Sequence, residues 1–239
     1  MTETEKKLVI VSGASSGIGL ALVKSLLQSD YAVLGIARSF DDSVAEHPDF
    51  RFEAIDLAAI DSLPTIMASL EKSIRQPIKA LVNNAGIGKM GYLEQLSVAD
   101  ISRSMNVNFL SHAIITKAFL PRLKRQGAAD IVFVGSEAAL RGSRQGSAYC
   151  ASKFALRGFA QALRDECGRS GVRIGLINPG AVRSAFFDEL DFEPGSDLQN
   201  ALTPEQVAAV IMSQLDADTG MVIDEVNLSP LTQVWQRKS

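Results

Sequence analysis

Cysteine and histidine are scarce in this chain of 239 residues, which has two of each: Cys150 and Cys167, His47 and His112. The histidines have no ligand-like spacing to each other or to the cysteines, so no structural metal site is expected. Both cysteines lie in or near one predicted helix, a poor arrangement for a disulfide. No block of basic residues occurs. The 24 Lys and Arg against 27 Asp and Glu leave a net charge of −3, which argues against a non-specific grip on nucleic acid or an anionic membrane. No apolar run approaches the length of a transmembrane helix, and the polar start Met1–Lys7 has no apolar core of the secretory-signal kind. Linkers rich in Pro, Gly or Ser, composition breaks and internal repeats are also missing. These absences leave a cytoplasmic protein without a metal as the expectation. With 46% hydrophobic and 21% charged residues, the chain can bury an ordinary globular core.

Short apolar runs alternate with longer amphipathic ones throughout. Predicted strands are Lys7–Val11, Ala32–Ala37, Arg51–Ile55, Ala80–Val82, Ile131–Gly135, Arg173–Ile177 and Met221–Val226. Predicted helices are Ile18–Gln28, Leu63–Ile74, Val98–Arg125, Ser147–Gly168 and Pro204–Leu215. Near-continuously apolar strands such as Leu8–Val11 belong in a parallel sheet covered on both faces. The βα alternation then gives an α/β, doubly wound sheet in one domain. Only Ser184–Asn200 lacks a clear period. Its Phe186, Phe187 and Leu190 suit either a lid over an apolar substrate or a connection pinned to the core.

Two segments carry chemistry. Ser12-Gly13-Ala14-Ser15-Ser16-Gly17-Ile18-Gly19 follows the first strand and opens the first helix. A pyrophosphate needs free backbone N–H groups, a helix N-terminus and no obstructing side chains. Gly13 can make the tight turn, Gly17 admits the ligand and Gly19 allows close helix packing. The second strand ends at Ala37-Arg38-Ser39, where an acid would hold a free ribose 2′-hydroxyl. The forked donors of Arg38 match a 2′-phosphate instead, favouring NADP(H) over NAD(H), although a solvated surface Arg is the plainer alternative. Asn83-Asn84-Ala85-Gly86 closes the fourth strand and can approach the cofactor's ribose or simply turn the chain. Asp56, ending the third strand, can accept from an adenine amino group or cap a helix.

The second segment is Ser136…Tyr149-Cys150-Ala151-Ser152-Lys153. Tyr149 and Lys153 are four residues apart and share a helix face. A phenol has an ordinary pKa of about 10, and a fixed ammonium beside it moves that value towards working pH. Ser136 follows the apolar run Ile131–Val134, at a strand's carboxyl end, where open α/β sheets place their ligands. Arg141, Arg144 and Arg183 border this region and could meet a substrate carboxylate or stand in solvent. Cys150 points off the Tyr149 face and is expected to be packed rather than reactive.

Taken together, the glycine turn, Asn83–Gly86, Ser136, Tyr149 and Lys153 resemble the short-chain dehydrogenase/reductase family, over about Lys7 to Leu228. The resemblance implies a Rossmann-type sheet of seven strands, with a nucleotide-binding half near 7–135 and a catalytic and substrate half near 136–239. It implies hydride transfer between a nicotinamide and a small carbonyl or alcohol, in a homodimer or homotetramer. Tyr149 would be the general acid/base. Lys153 would lower its pKa and hold the nicotinamide ribose, and Ser136 would orient the substrate oxygen. Asn108, rather than Asn106, would support a proton path to the lysine. Implied cofactor contacts are Gly13, Ser15, Ser16, Gly17, Ile18, Gly19, Arg38, Ser39, Asp56, Leu57, Asn83, Ala85, Gly86, Tyr149, Lys153, Pro179, Gly180, Val182 and Ser184. Ser12 stands where the family usually has Thr, and Gly135 where a second Ser is frequent. An NAD(+)-linked alcohol or sugar dehydrogenase is the alternative among enzymes, and a catalytically silent NADP(H)-sensing protein the alternative outside them. A methyltransferase would lack the Tyr/Lys pair.

Overall fold

In the computed structural model, which describes residues 6–40 and 42–238, strand β1 (Leu8–Ser12) is buried along its whole length. Leu8 and Ile10 face one side of the sheet, and Val9 and Val11 the other. A strand with two covered faces has no solvent side to supply polar residues, which is why its sequence shows no alternation.

Around β1 lie β2 (Ala32–Ala37), β3 (Phe50–Ala54), β4 (Ile78–Asn83), β5 (Ala129–Val134), β6 (Val172–Pro179) and β8 (Glu225–Leu228). They form a seven-stranded sheet in the order β3-β2-β1-β4-β5-β6-β8, parallel in every pairing. Helices α2 (Leu63–Ser73), α4 (Ser111–Gln126) and α5 (Ser147–Cys167) cover the face of Leu8, Ile10, Ile131 and Phe133. Helices α1 (Gly17–Gln28) and α6 (Pro204–Leu215) cover the Val9, Val11, Val82 and Val132 face. The fold is the doubly wound one expected. The chain leaves β1 towards β2 on one side and reaches β4 on the other. The crevice between the carboxyl ends of β1 and β4 is therefore the switch point at which such sheets take ligands.

At the opposite end of the sheet, Asp130 of β5 is fully buried between Lys79 of β4, at 2.8 Å, and Arg173 of β6, at 2.6 Å. Three adjacent strands are pinned there by one carboxylate. That carboxylate raises the Arg173 pKa through its hydrogen bond.

Several expectations are corrected. The last strand of the large sheet is Glu225–Leu228, not Met221–Val226. Residues 221–224 are irregular, although Val222 and Ile223 are apolar. The long helix expected over Val98–Arg125 is broken into α3 (Val98–Met105), a π-helical turn (Asn106–Leu110) and α4. Ser184–Asn200, which has no clear period, is in part regular. It contains β7 (Phe192–Pro194), which pairs antiparallel with β9 (Trp235–Arg237) near the end of the chain. Three-residue strands are too short to show a period.

Candidate active site

A cleft of about 1010 Å³ opens at the carboxyl ends of the central strands. The glycine turn forms its floor. Gly13 and Gly17 have φ of +68° and +52°, the left-handed region that side chains disfavour. A Cβ on Gly13 would stand 2.8 Å from the Ala85 backbone, so the turn and the end of β4 touch directly. Ser12 locks this approach: its hydroxyl accepts from the backbone N–H of Asn84 at 3.0 Å and of Ala85 at 3.2 Å. The Asn84 amide returns two bonds to the carbonyls of Ser12 and Gly13, both at 3.1 Å. Beyond the turn, α1 begins without a side-chain cap on Ser16, leaving its first N–H groups open to an anion.

Ser15, Ser16, Gly17, Ile18, Arg38, Ser39, Asp56 and Leu57 continue along the cleft, followed by Ala85, Gly86, Pro179, Gly180, Val182 and Ser184. Asp56 also accepts from Ala58 N at 3.0 Å, so it caps its own turn. Two implied contacts lie elsewhere. Gly19 is buried beneath the turn, where a Cβ would strike the Gly13 carbonyl at 2.0 Å, so it serves packing. Asn83 is completely buried and lies outside the cleft lining. Its amide donates to Thr116 Oγ1 at 3.1 Å and lies 3.3 Å from His112 Nδ1. The open amide of the pair is that of Asn84, which sequence position alone did not single out.

Ser136, Tyr149 and Lys153 meet at the inner end of the cleft, all nearly buried. Ser136 begins a short 3-10 turn: its hydroxyl accepts from Ala138 N at 3.1 Å, and its own N–H donates to Asn178 Oδ1 at 3.3 Å. Gly135 has its explanation here, because a Cβ would stand 2.1 Å from that same Asn178 oxygen. One turn along α5 from the phenol, the Lys153 ammonium donates to the Val134 carbonyl at 3.0 Å and lies 5.9 Å from the Tyr149 ring centroid. Burial lowers the Lys153 pKa to about 8, and at neutral pH it stays charged. The balance at Tyr149 runs against the expectation. Burial pushes the phenol up to about 12, which its hydrogen bond with Ser136 only partly offsets.

Asn108 sits in the π-helical turn, a wider winding that carries its side chain inward. Its amide donates to the Ile87 carbonyl and to Ser152 Oγ, each at 3.1 Å, and its Oδ1 accepts from Ile87 N at 2.8 Å. Ser152 in turn donates to the Tyr149 carbonyl at 2.7 Å. Asn108 therefore couples the end of β4 to the helix carrying Tyr149. His112, to which the sequence assigns no role, supports the same layer. Its Nε2 meets the Ala85 carbonyl at 2.8 Å, and full burial depresses its pKa to about 3, keeping the ring neutral.

The outer wall is aromatic. The Phe186 ring lies 5.7 Å from Tyr149, Phe187 lies 5.3 Å from Phe186, and Trp235 of β9 lies 5.8 Å from Phe187. Phe187 and Leu190 are pinned in a small core of their own, against which Phe186 packs, and Phe186 and Phe187 both line the cleft. Arg141 and Arg144 border the cleft, the latter stacked on Tyr92 at 5.3 Å. Arg183 lies outside the lining and donates to the carbonyls of Gly195 and Asp197, both at 3.0 Å, holding the loop. Cys150 is buried, its Sγ 3.5 Å from Ser143 Oγ, as its off-face position implied. Among the described residues, no group of His, Cys, Asp or Glu could hold a metal, and no helix is long and apolar enough to cross a membrane.

Residues 7–193 match the family described as short chain dehydrogenase. The chain belongs to that family. It is an NAD(P)-dependent oxidoreductase. Among curated relatives, a sepiapterin reductase of Chlorobaculum tepidum is 28% identical, over 94% of this chain and 96% of that enzyme. An NADP-dependent 3-hydroxy acid dehydrogenase of Schizosaccharomyces pombe is also 28% identical, over 98% and 96%. An alcohol dehydrogenase from the archaeon Thermococcus sibiricus, solved with 5-hydroxy-NADP, superposes with a TM-score of 0.85 at 26% identity, covering 96% of this chain and 99% of that one.

Proposed function

We propose that this short-chain dehydrogenase reduces the carbonyl group of a small organic substrate with NADPH, using Tyr149 as the proton donor. The observation that carries the reading is the convergence of Ser136, Tyr149 and Lys153 at the inner end of a cleft whose floor is the glycine turn. The residues present fit a dinucleotide: the left-handed Gly13 and Gly17 keep the turn free of side chains, and the uncapped start of α1 offers backbone donors to a pyrophosphate. Gly86 leaves room beside Lys153, where a Cβ would stand 3.7 Å from Nζ. Bound NADPH supplies the hydride.

The protein's part is alignment and the proton. Ser136 and Tyr149 place two hydroxyl donors where a carbonyl oxygen gains negative charge, a preorganised arrangement that stabilises the transition state. A phenol held near 12 is fully protonated at neutral pH, so the proton to be given is in place. Lys153 remains an ammonium below about 8 and can balance the negative charge that the phenol gains as it gives up its proton. Asn108 and Ser152 hold the helix that presents both groups. The experiment is Tyr149→Phe. Turnover should fall at least about 1000-fold while fluorescence titration gives NADPH affinity near wild type. Turnover near wild type removes Tyr149 from the mechanism.

Preference for NADP(H) is supported by Arg38, which follows β2 and lines the cleft, and by Ala37 at the strand end, where an acid would hold a free ribose 2′-hydroxyl. The relatives that name NADP point the same way. Under this reading Arg38→Ala raises the KM for NADPH roughly 10-fold or more and leaves that for NADH nearly unchanged. An equal effect on both would favour an NAD-linked dehydrogenase.

A further inference from the structure

One charged side chain beside the reacting groups has no part in the mechanism above. Glu137 directly follows Ser136 and begins the short turn that the Ser136 hydroxyl fixes. Half-buried, it lines the cleft. Its Oε1 accepts from Gln233 Nε2 at 2.7 Å, and Gln233 belongs to the segment leading into β9. Its Oε2 lies over Gly180, 3.0 Å from where a Cβ would stand. No Lys or Arg forms an ion pair with Glu137 among the described residues. Among the basic side chains that line the cleft, Arg144 stacks on Tyr92, Lys89 pairs with Asp100 at 3.4 Å, Lys153 donates to the Val134 carbonyl and Arg141 is exposed. Glu137 is also near enough for its negative charge to oppose ionisation of Tyr149.

A carboxylate is an acceptor only, with room for several donors. Here a neutral amide meets one oxygen, and the other lies beside Gly180 in the lining of the same cleft as Ser136 and Tyr149. A substrate that covers this oxygen without a donor strips water from an ionised group and returns nothing. A substrate carrying a second carboxylate there meets like charge. An ammonium or hydroxyl hydrogen forms a charge-assisted bond instead. Building on the carbonyl-reduction reading, we propose that Glu137 is a specificity-determining residue that selects carbonyl substrates bearing a hydrogen-bond donor, an ammonium or hydroxyl group, close to the reacting carbon. Phe186, against the Tyr149 ring at 5.7 Å, offers an apolar part of the cleft lining to the remainder of the substrate. Gln233 acts as a positioning residue that keeps the carboxylate turned into the cleft.

The test is a matched series run with NADPH: an aminoketone, a hydroxyketone, the corresponding methyl ketone and the corresponding keto acid. Wild type should show kcat/KM for the aminoketone at least about 10-fold above that for the methyl ketone, with the keto acid poorest. In Glu137→Gln that ratio should fall by roughly 10-fold and the keto acid should gain on the others. Glu137→Asp, which keeps the charge on a shorter arm, should retain part of the preference, separating loss of charge from disturbance of the turn. Calorimetric binding of the corresponding amino alcohol to NADPH-saturated enzyme reads the same contact without chemistry. Turnover of the whole series with unchanged ratios in Glu137→Gln overturns the proposal and leaves carbonyl reduction standing. Amino alcohol binding that depends on Glu137, without turnover of any ketone, sustains the proposal and overturns the reaction. A wild-type preference for the keto acid, or neither binding nor turnover, sinks it.

Discussion

Tyr149 and Lys153 share one burial, and burial acts on them in opposite directions. It raises the acid's pKa to about 12 and lowers the base's to about 8, because both shifts disfavour the charged form. The phenol is therefore protonated across the working range, and the group that titrates within it is the lysine. Carbonyl reduction should hold steady at neutral pH and decline as pH rises through about 8, when the ammonium loses its proton. A profile of kcat/KM between pH 6 and 10 checks the sign, and a rate that stays level to the alkaline end removes Lys153 charge from the mechanism. Tyr149→Phe, argued above, tests the partner.

The end of the chain makes a separate contribution. Strand β9 is held to the loop at 184–200 by pairing with β7, by Trp235 against Phe187 and Phe192, and by Lys238 Nζ donating to the Asp188 carbonyl at 3.1 Å. None of these contacts reaches the two main cores, which are built on the faces of the large sheet. Truncation after Leu231 should therefore leave the melting temperature within a few degrees of wild type, since few deeply buried apolar groups are exposed. Substrate KM should rise several-fold, because the outer wall and the Gln233 bond to Glu137 go with it. Paired thermal melts and steady-state kinetics check this, and collapse of the fold in the truncated chain would refute it. The π-helical turn at Asn106–Leu110 is the other local device. It interrupts an otherwise continuous helix so that Asn108 can bond to Ile87 and Ser152 at once.

Across the whole molecule, chemistry and fold stability occupy opposite ends of one sheet. The carboxyl ends of the strands hold the cleft, while the amino ends of β4, β5 and β6 are clamped by Asp130. Replacing Asp130 with Asn leaves Lys79 and Arg173 facing each other without their counter-ion, a change that typically costs about 3 kcal/mol when a buried pair is broken. For a chain of 239 residues that corresponds to a melting temperature lower by roughly 8 °C. Kinetic constants should stay unchanged, because the clamp lies at the far end of the strands. A loss of activity without a thermal shift would contradict this division.

The sequence was sufficient for the doubly wound sheet, the glycine turn and the grouping of Ser136, Tyr149 and Lys153. Each rests on local information: continuous apolar runs, backbone freedom at Gly13 and Gly17, and a spacing of one helical turn. It misled or was silent where distant segments decide the outcome. Asn83 looks like Asn84 in the chain, yet only packing against Thr116 and His112 turns it inward and leaves Asn84 over the glycine turn. Val222 and Ile223 looked like strand, but the register of β8 on β6 begins at Glu225. The pairing of β7 with β9 joins residues about forty positions apart, and the hold of Gln233 on Glu137 joins residues 96 apart, with no period to announce either. Even the direction of the Tyr149 shift was a tertiary matter. Four residues of spacing put an ammonium nearby, but the loss of water around the phenol sets the direction, and desolvation exists only once the sheet and its helices have closed.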